Sequence, residues 1–291
     1  RAERVFQAAV WAAGLTMEVV QAQSKCIDPR GLDARNHPEV SEVGTYLRTI
    51  LTGSHRVLSG NNPDAFSIRA GPSVMGAVWR TIRFARTEVE RELNGISDNP
   101  LIFGEDSIET GNFHGATVGM AMDHLKTALT QLATLSERRT FRLTHGKLSN
   151  NLPSFLVDGT GLNSGFMLAQ YTAAALASEM KGLAHPASVD TIPTVQHHED
   201  HVSMAPISAR HTLEILECLA DIVAIELLLA AQALDLRMQT DQLPFPKPIA
   251  NIHAQIRKKV RFWSDDQVLH PDVRILGEKV RQGIMGDPSP W

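Results

Sequence analysis

Between residues 222 and 234 the chain is nearly continuously apolar and carries a single acid, Glu226. The run is too short to cross a bilayer and lacks the polarity of a surface helix. A helix that is apolar almost all round is buried on every side, which requires a bundle of other helices around it. Glu226 sharpens the constraint. An unpaired carboxylate in such a place is costly, so Glu226 has to meet an Arg or His from another helix.

Helical periodicity elsewhere supplies the partners. It predicts helices over residues 1–24, 39–58, 72–93, 113–143, 163–183 and 203–237, with two shorter amphipathic helices closing the chain. In the fourth, Val118, Met122, Leu125, Leu129 and Leu132 recur at spacings of three and four and mark one apolar stripe. Residues 28–38, 60–64, 97–100 and 186–200 read as turns or loops, and 101–103 with 107–109 as a short hairpin. Long helices with few strands imply an all-α, long-helix bundle with short irregular loops. No strong interdomain linker appears, so residues 1–291 are expected to form one helical domain, with 238–291 as its C-terminal helical tail. Wide apolar faces on elongated helices imply an oligomer.

Composition narrows the function classes. Of the 291 residues 43% are hydrophobic and 21% charged, too apolar for a disordered chain. Lys and Arg number 28 against 32 Asp and Glu, so no basic field exists for nucleic acid. Cys26 and Cys218 are far apart; they give neither a disulfide framework nor a zinc spacing and fit two buried thiols in a reducing cytoplasm. No signal peptide or membrane span is expected. The first residue is Arg1 rather than Met, so a piece of a longer polypeptide is expected.

Four clusters hold unusual polar residues. In Asp64-Ala-Phe-Ser-Ile-Arg69-Ala-Gly-Pro72, Arg69 precedes a helix start. Its guanidinium could grip a carboxylate with two parallel hydrogen bonds or form a structural ion pair. In Gly111-Asn-Phe-His-Gly115, Asn112 could cap the following helix. The glycine-rich segment Gly159-Thr-Gly161-Leu-Asn-Ser-Gly165 matches no nucleotide-binding pattern, so a nucleotide site is rejected. In His197-His-Glu-Asp-His201, His197 and His201 would share a face if helical. A metal site is a minor reading of this cluster, acid–base work or the gripping of a polar ring a stronger one. The plain alternative makes Asp200 a first-turn acid favoured by the helix dipole.

These clusters, taken in order with Ser97-Asp-Asn-Pro-Leu101, Ser136-Glu-Arg-Arg139, Asn163-Ser-Gly-Phe-Met167, His185-Pro-Ala-Ser-Val-Asp190 and Glu199-Asp-His-Val-Ser-Met204, resemble the histidine and aromatic amino acid ammonia-lyase family over nearly the whole chain. The last motif resembles the histidine branch; phenylalanine and tyrosine branches usually carry Gln-Asp-Val there. The resemblance implies a helical homotetramer that eliminates ammonia from an L-amino acid, histidine giving urocanate. It also implies the electrophile 4-methylidene-imidazol-5-one (MIO), made from an internal Ala-Ser-Gly, and neither metal nor nucleotide. That tripeptide does not occur in this sequence. The family carries it in an N-terminal portion, so this chain is expected to be the C-terminal part, inactive alone, and an N-terminal companion chain stays open as a partner.

The resemblance also carries roles onto residues. Arg69 matches the arginine that holds the substrate carboxylate, Phe113 an aromatic beside the MIO ring, and Glu199 the glutamate near the substrate imidazole. Met167 matches a methionine lining the substrate pocket, and Asn99 a residue orienting the site. Three positions depart from the family pattern. Phe66 stands where a tyrosine is usual, and Pro63 and His198 replace glutamines. Losing one preorganised donor at a reacting centre costs about 100–1000-fold in rate. Three alternatives therefore remain: an aromatic lyase or aminomutase of the same family, a non-catalytic helical assembly subunit, and a metal-dependent hydrolase using His197, Glu199 and His201.

Overall fold

The computed structural model describes residues 1–57 and 64–283. The apolar run lies in the longest helix, Ala205–Asp241, which we label α8 in chain order. Its 37 residues extend about 55 Å at 1.5 Å per residue. Four helices pack along it: α1 (Ala2–Val19), α6 (Ala116–Thr144), α7 (Met167–Leu183) and α10 (His270–Gln282). They bury Ile222, Val223, Ile225, Leu227, Leu228, Leu229 and Leu234 completely. The remaining elements are α2 (Pro29–Asp33), α3 (Pro38–Ile50), α4 (Phe66–Arg69), α5 (Gly71–Leu93) and α9 (Lys247–Arg257). Among the described residues the strands are β1 (Leu101–Phe103) and β2 (Asp106–Ile108), an antiparallel hairpin with Ile102 opposite Ser107. The chain is an all-α bundle, as its periodicity requires.

The direction of the helices decides where the ends fall. Gly115 lies against Ser203, Thr212 Oγ1 donates to the Met122 carbonyl at 3.3 Å, and Arg139 pairs with Glu226. Helices α6 and α8 therefore run parallel and in register, with both N-termini at the same end. Helix α7 returns antiparallel to them: Gln170 meets Glu137 at 3.3 Å near its start, and Lys126 Nζ donates to the His185 carbonyl at 3.0 Å beyond its end. At the crossing of α3 and α5 a Cβ on Gly76 would stand 2.7 Å from the Val40 backbone, so only glycine permits that approach.

Glu226 finds the partner its burial demands. Arg139 Nε and Nη2 donate to its two oxygens at 2.5 and 2.8 Å. Thr16 Oγ1 donates at 2.8 Å and Ser136 Oγ at 2.6 Å. The carboxylate thus ties α1, α6 and α8 together at one level of the bundle. A second buried guanidinium closes the far end. Arg56 donates to Glu18 (3.1 Å), to both oxygens of Asp241 (2.9 and 2.6 Å) and to the Leu243 carbonyl (2.6 Å), with Phe245 under its face. Hydrogen bonding from Arg56 holds the Asp241 carboxyl below the usual range, against the opposing pull of its partial burial.

Several boundaries differ from those the sequence predicts. The helix expected over 39–58 stops at Ile50. Gly53 turns the chain at φ +83°, and Ser54 Oγ accepts from the Arg56 and Val57 N–H groups. Leu58, Pro63 and most of the 60–64 loop lie outside the described residues. The turn-rich stretch 28–38 contains α2, because Asp28 caps the Arg30 N–H at 2.9 Å with Pro29 at the first helical position. Helix α7 starts at Met167 rather than 163, after glycines with φ of +66°, +110° and +51° at 159, 161 and 165. Helix α6 starts at Ala116 rather than 113, and Asn112 does not cap it: its side-chain amide donates to the Ile96 carbonyl at 3.2 Å. Cys26 and Cys218 are free and half-buried; burial pushes the Cys26 thiol up to about 11.

Two expected outcomes follow from the buried ion pairs. Arg139→Met leaves the Glu226 carboxylate unpaired and should lower stability by about 3–5 kcal/mol; a loss under about 1 kcal/mol in urea denaturation would contradict the role assigned to the pair. The Asp241 carboxyl is depressed in the folded state, so its contribution is present above about pH 4, the unfolded value. It is lost as pH falls through the lower folded value. The stability gap between the parent and Asp241→Asn should be constant near neutrality and shrink on acidification, and a gap independent of pH would contradict this.

Candidate active site

The parallel start of α6 and α8 places two loops side by side, and between them lies the cavity that gathers the polar clusters. It has a volume of about 720 Å³ and is lined by Asn99, residues 111 and 113–115, and residues 198–203. The close contact of the helices is possible because Gly115 and Gly119 have no side chain. A Cβ on either would come within 3.2–3.4 Å of Ser203 or Ala205. Neither helix carries an acid in its first turn, and the acids of this region, Glu199 and Asp200, come from the loop before α8.

Of the residues singled out in the sequence, the cavity wall brings together Asn99, Phe113, His198 and Glu199. Asn99 is fixed by its neighbours: its Oδ1 accepts from the Thr110 N–H at 2.6 Å and its Nδ2 donates to Glu109 at 3.1 Å. Phe113 is 61% exposed, so its ring is open to the cavity and to solvent. Glu199 accepts a hydrogen bond from Thr194 Oγ1 through Oε2 at 2.6 Å.

The segment carrying Glu199 is not helical. Thr194 and Glu199 pair as an isolated antiparallel bridge, so His197 and His201 do not share a helix face. Helix α8 begins at Ala205, so Asp200 is not a first-turn acid; it stands in the cavity wall. His197, Glu199 and His201 do not converge: His201 turns to His114, Glu199 to Thr194. Among the described residues no three His, Cys, Asp or Glu side chains are arranged to hold a metal ion.

Phe66, Arg69 and Met167 are placed outside this wall. Phe66 and Arg69 sit in α4, which packs against α6, and both are exposed. Arg69 makes no ion pair with any described residue; its guanidinium lies 6.0 Å from the Phe66 ring centroid. The structural ion pair considered for it is therefore absent among the described residues. Met167 is the first residue of α7 and half-buried. The glycine-rich turn before it is held from the C-terminal tail. Asp266 accepts from the Ser164 N–H (3.0 and 2.9 Å) and the Gly165 N–H (2.7 Å), and Phe166 stacks on Trp263 at 4.5 Å.

Two contacts, one in the wall and one at the glycine-rich turn outside it, had no sequence signal. His201 Nδ1 and His114 Nε2 lie 3.2 Å apart with stacked rings, a contact between residues 87 apart that only the parallel register of α6 and α8 creates. Asp266 acts across 102 residues on Ser164, and nothing in its local pattern marks it.

The helical bundle that carries this cavity has counterparts among known proteins. Residues 1–258 match the model of the aromatic amino acid lyase family. Histidine ammonia-lyase of Idiomarina loihiensis is 41% identical over 290 residues, covering 97% of this chain and 56% of that protein. Among solved structures, histidine ammonia-lyase from Trypanosoma cruzi superposes with a TM-score of 0.90 at 36% identity, over 98% of this chain and 54% of that one. Tyrosine aminomutase from Streptomyces globisporus gives 0.92 at 32% identity, over 98% and 58%. The chain belongs to the aromatic amino acid lyase family. It spans just over half the length of the relatives it matches.

The clamp on the glycine-rich turn gives an expected outcome. Asp266→Asn should speed amide hydrogen exchange across residues 159–167 while the centre of α8 keeps its protection. Unchanged exchange in that turn would show that the carboxylate does not hold it.

Proposed function

We propose that this chain forms the Glu199-bearing part of an amino acid ammonia-lyase that acts on histidine and releases ammonia and urocanate. The observation that carries the reading is the placement of Glu199 in the cavity wall with one oxygen committed to Thr194 and the other, Oε1, without a hydrogen-bond partner among the described residues. A carboxylate oxygen held open in this way suits the N–H of an imidazole. The motif around it is that of the histidine branch, and histidine ammonia-lyases are among the relatives.

Each remaining residue takes a role that its position allows. Arg69, charged and without an ion-pair partner among the described residues, holds the substrate carboxylate. Phe113 offers an exposed ring, and Asn99 a braced amide, to whatever completes the cavity. Asn99 fits a residue that orients the site, and Phe113 an aromatic beside an MIO ring. When bound, that group supplies the electrophile that labilises the amino group. The tripeptide that forms it is not in this sequence, so the segment carrying it has to come from the rest of the enzyme. Met167, at the start of α7 and outside this chain's own cavity wall, would line the substrate pocket of a site that another copy completes. Phe66 and His198 contribute a ring and an imidazole where hydroxyl and amide donors are usual, and Phe66 should make this enzyme slower than a tyrosine-bearing relative.

The same reading includes assembly as a homotetramer in the cytoplasm. Phe66, Met120, Leu162, Leu168, Tyr171, Val189 and Leu213 are exposed apolar side chains that a subunit interface would cover. Phe66, Arg69 and Met167 lie outside the cavity wall of their own chain, an arrangement that suits sites completed by other copies. The two free thiols suit a reducing compartment. No helix among the described residues is long and apolar enough to cross a membrane.

The test uses the complete lyase with its Ala-Ser-Gly segment. The parent should turn over histidine in preference to tyrosine, and Glu199→Gln should depress kcat/KM for histidine while sparing or raising turnover of phenylalanine or tyrosine. Equal loss on all substrates would remove Glu199 from specificity. Turnover of tyrosine rather than histidine by the parent would favour the aminomutase or aromatic-lyase alternative, and no turnover of any amino acid the assembly-subunit alternative.

A further inference from the structure

Glu199 cannot aim itself. It lies on an exposed loop, on no helix or strand, so some other group has to hold its carboxylate in one orientation. The chain between Thr194 and Glu199 takes a rare path. Val195, Gln196 and His197 have φ of +46°, +54° and +70°, three successive non-glycine residues in the left-handed region, the first of them β-branched. Such a turn persists only where the surrounding structure over-determines it.

Thr194 supplies that restraint through both backbone and side chain. Its N–H donates to the Glu199 carbonyl at 2.9 Å, and the Glu199 N–H donates back at 3.3 Å. The His197 N–H also donates to the Thr194 carbonyl at 3.0 Å, closing the turn. The threonine hydroxyl then donates to Glu199 Oε2 at 2.6 Å, a short charge-assisted bond. The loop is moored again where the Val202 N–H donates to Thr191 Oγ1 at 2.8 Å. Upstream, the buried Asp123 accepts from the Ser188 N–H at 2.7 Å.

We infer that Thr194 is a positioning residue for Glu199: its hydroxyl fixes one carboxylate oxygen so that the other faces the cavity as the acceptor for a substrate ring N–H. The inference rests on the histidine reading given above. Thr194 itself is not part of the cavity wall and touches no reacting atom. It acts by removing the rotational freedom that Glu199 would otherwise lose on binding. The β-branched side chain is suited to this, since its hydroxyl is held in few rotamers.

The experiment compares Thr194→Val and Thr194→Ser in the complete lyase, each alone and combined with Glu199→Gln. Valine keeps the shape and removes the donor; serine keeps the donor. Thr194→Val should lower kcat/KM for histidine by about tenfold or more, the worth of a hydrogen bond to a charged group, and Thr194→Ser should restore most of it. In the Glu199→Gln background Thr194→Val should have little further effect, because both changes remove the same oriented carboxylate. Thermal unfolding of each variant separates a folding defect from a positioning one. A Thr194→Val enzyme within twofold of its parent would overturn the inference alone. So would an undiminished loss in the Glu199→Gln background, which would mark a merely structural threonine. A parent without histidine turnover would overturn the functional reading and this inference with it.

Discussion

A carboxylate in the middle of the longest helix sets the geometry of the molecule. Glu226 is fully buried, and four hydrogen bonds from three side chains satisfy it. Those donors come from α1 and α6, so the pair fixes not only that the helices touch but at what level they touch. Hydrophobic burial is non-directional and would tolerate a helix sliding by a turn. An ion pair inside low-dielectric surroundings does not tolerate it, because the slide would strand a charge. Parallel α6 and α8 in fixed register are the result.

That register reaches the cavity about 30 Å away along α8. Ser203 can lie against Gly115, and His201 against His114, only if the helices that follow them keep step. Short connections favour antiparallel neighbours, and a parallel pair is joined here by a long excursion through α7. The excursion carries the turn with Met167 and the loop with Thr194 and Glu199. The connection forced by topology is therefore also where most of the site's side chains are carried, while the rigid part of the bundle holds its two ends.

The sequence made some of this readable and hid the rest for identifiable reasons. The buried helix, its need for a cationic partner, the stripe on α6, the hairpin and the all-α class were open to periodicity and to the cost of burying charge. So were the polar clusters themselves, because histidines, glycines and acids crowded into loops are uncommon without a task. What stayed hidden depends on through-space placement. Asp200 reads as a helix-start acid until Met204, in the left-handed region, sets the start of α8 at Ala205. His197 and His201 read as one helix face until the bridge between Thr194 and Glu199 is seen. Thr194 and Asp266 are ordinary residues in an unremarkable local pattern, and their importance lies only in which carboxylate or which N–H they meet.

The distribution of the site over the surface follows from the same economy. A bundle held by one central helix can bury its core within a single chain, yet its loops at the α6 and α8 end remain open, with Phe113 uncovered and the cavity exposed to solvent along one side. Phe66 and Arg69 are exposed on α4, the guanidinium without an ion-pair partner among the described residues. Covering Phe113 and Phe66 would remove apolar surface from water, whereas a guanidinium such as that of Arg69 is at home in solvent and is costly to cover unless a carboxylate meets it. The Glu199 loop, by contrast, is braced within the chain through Thr194.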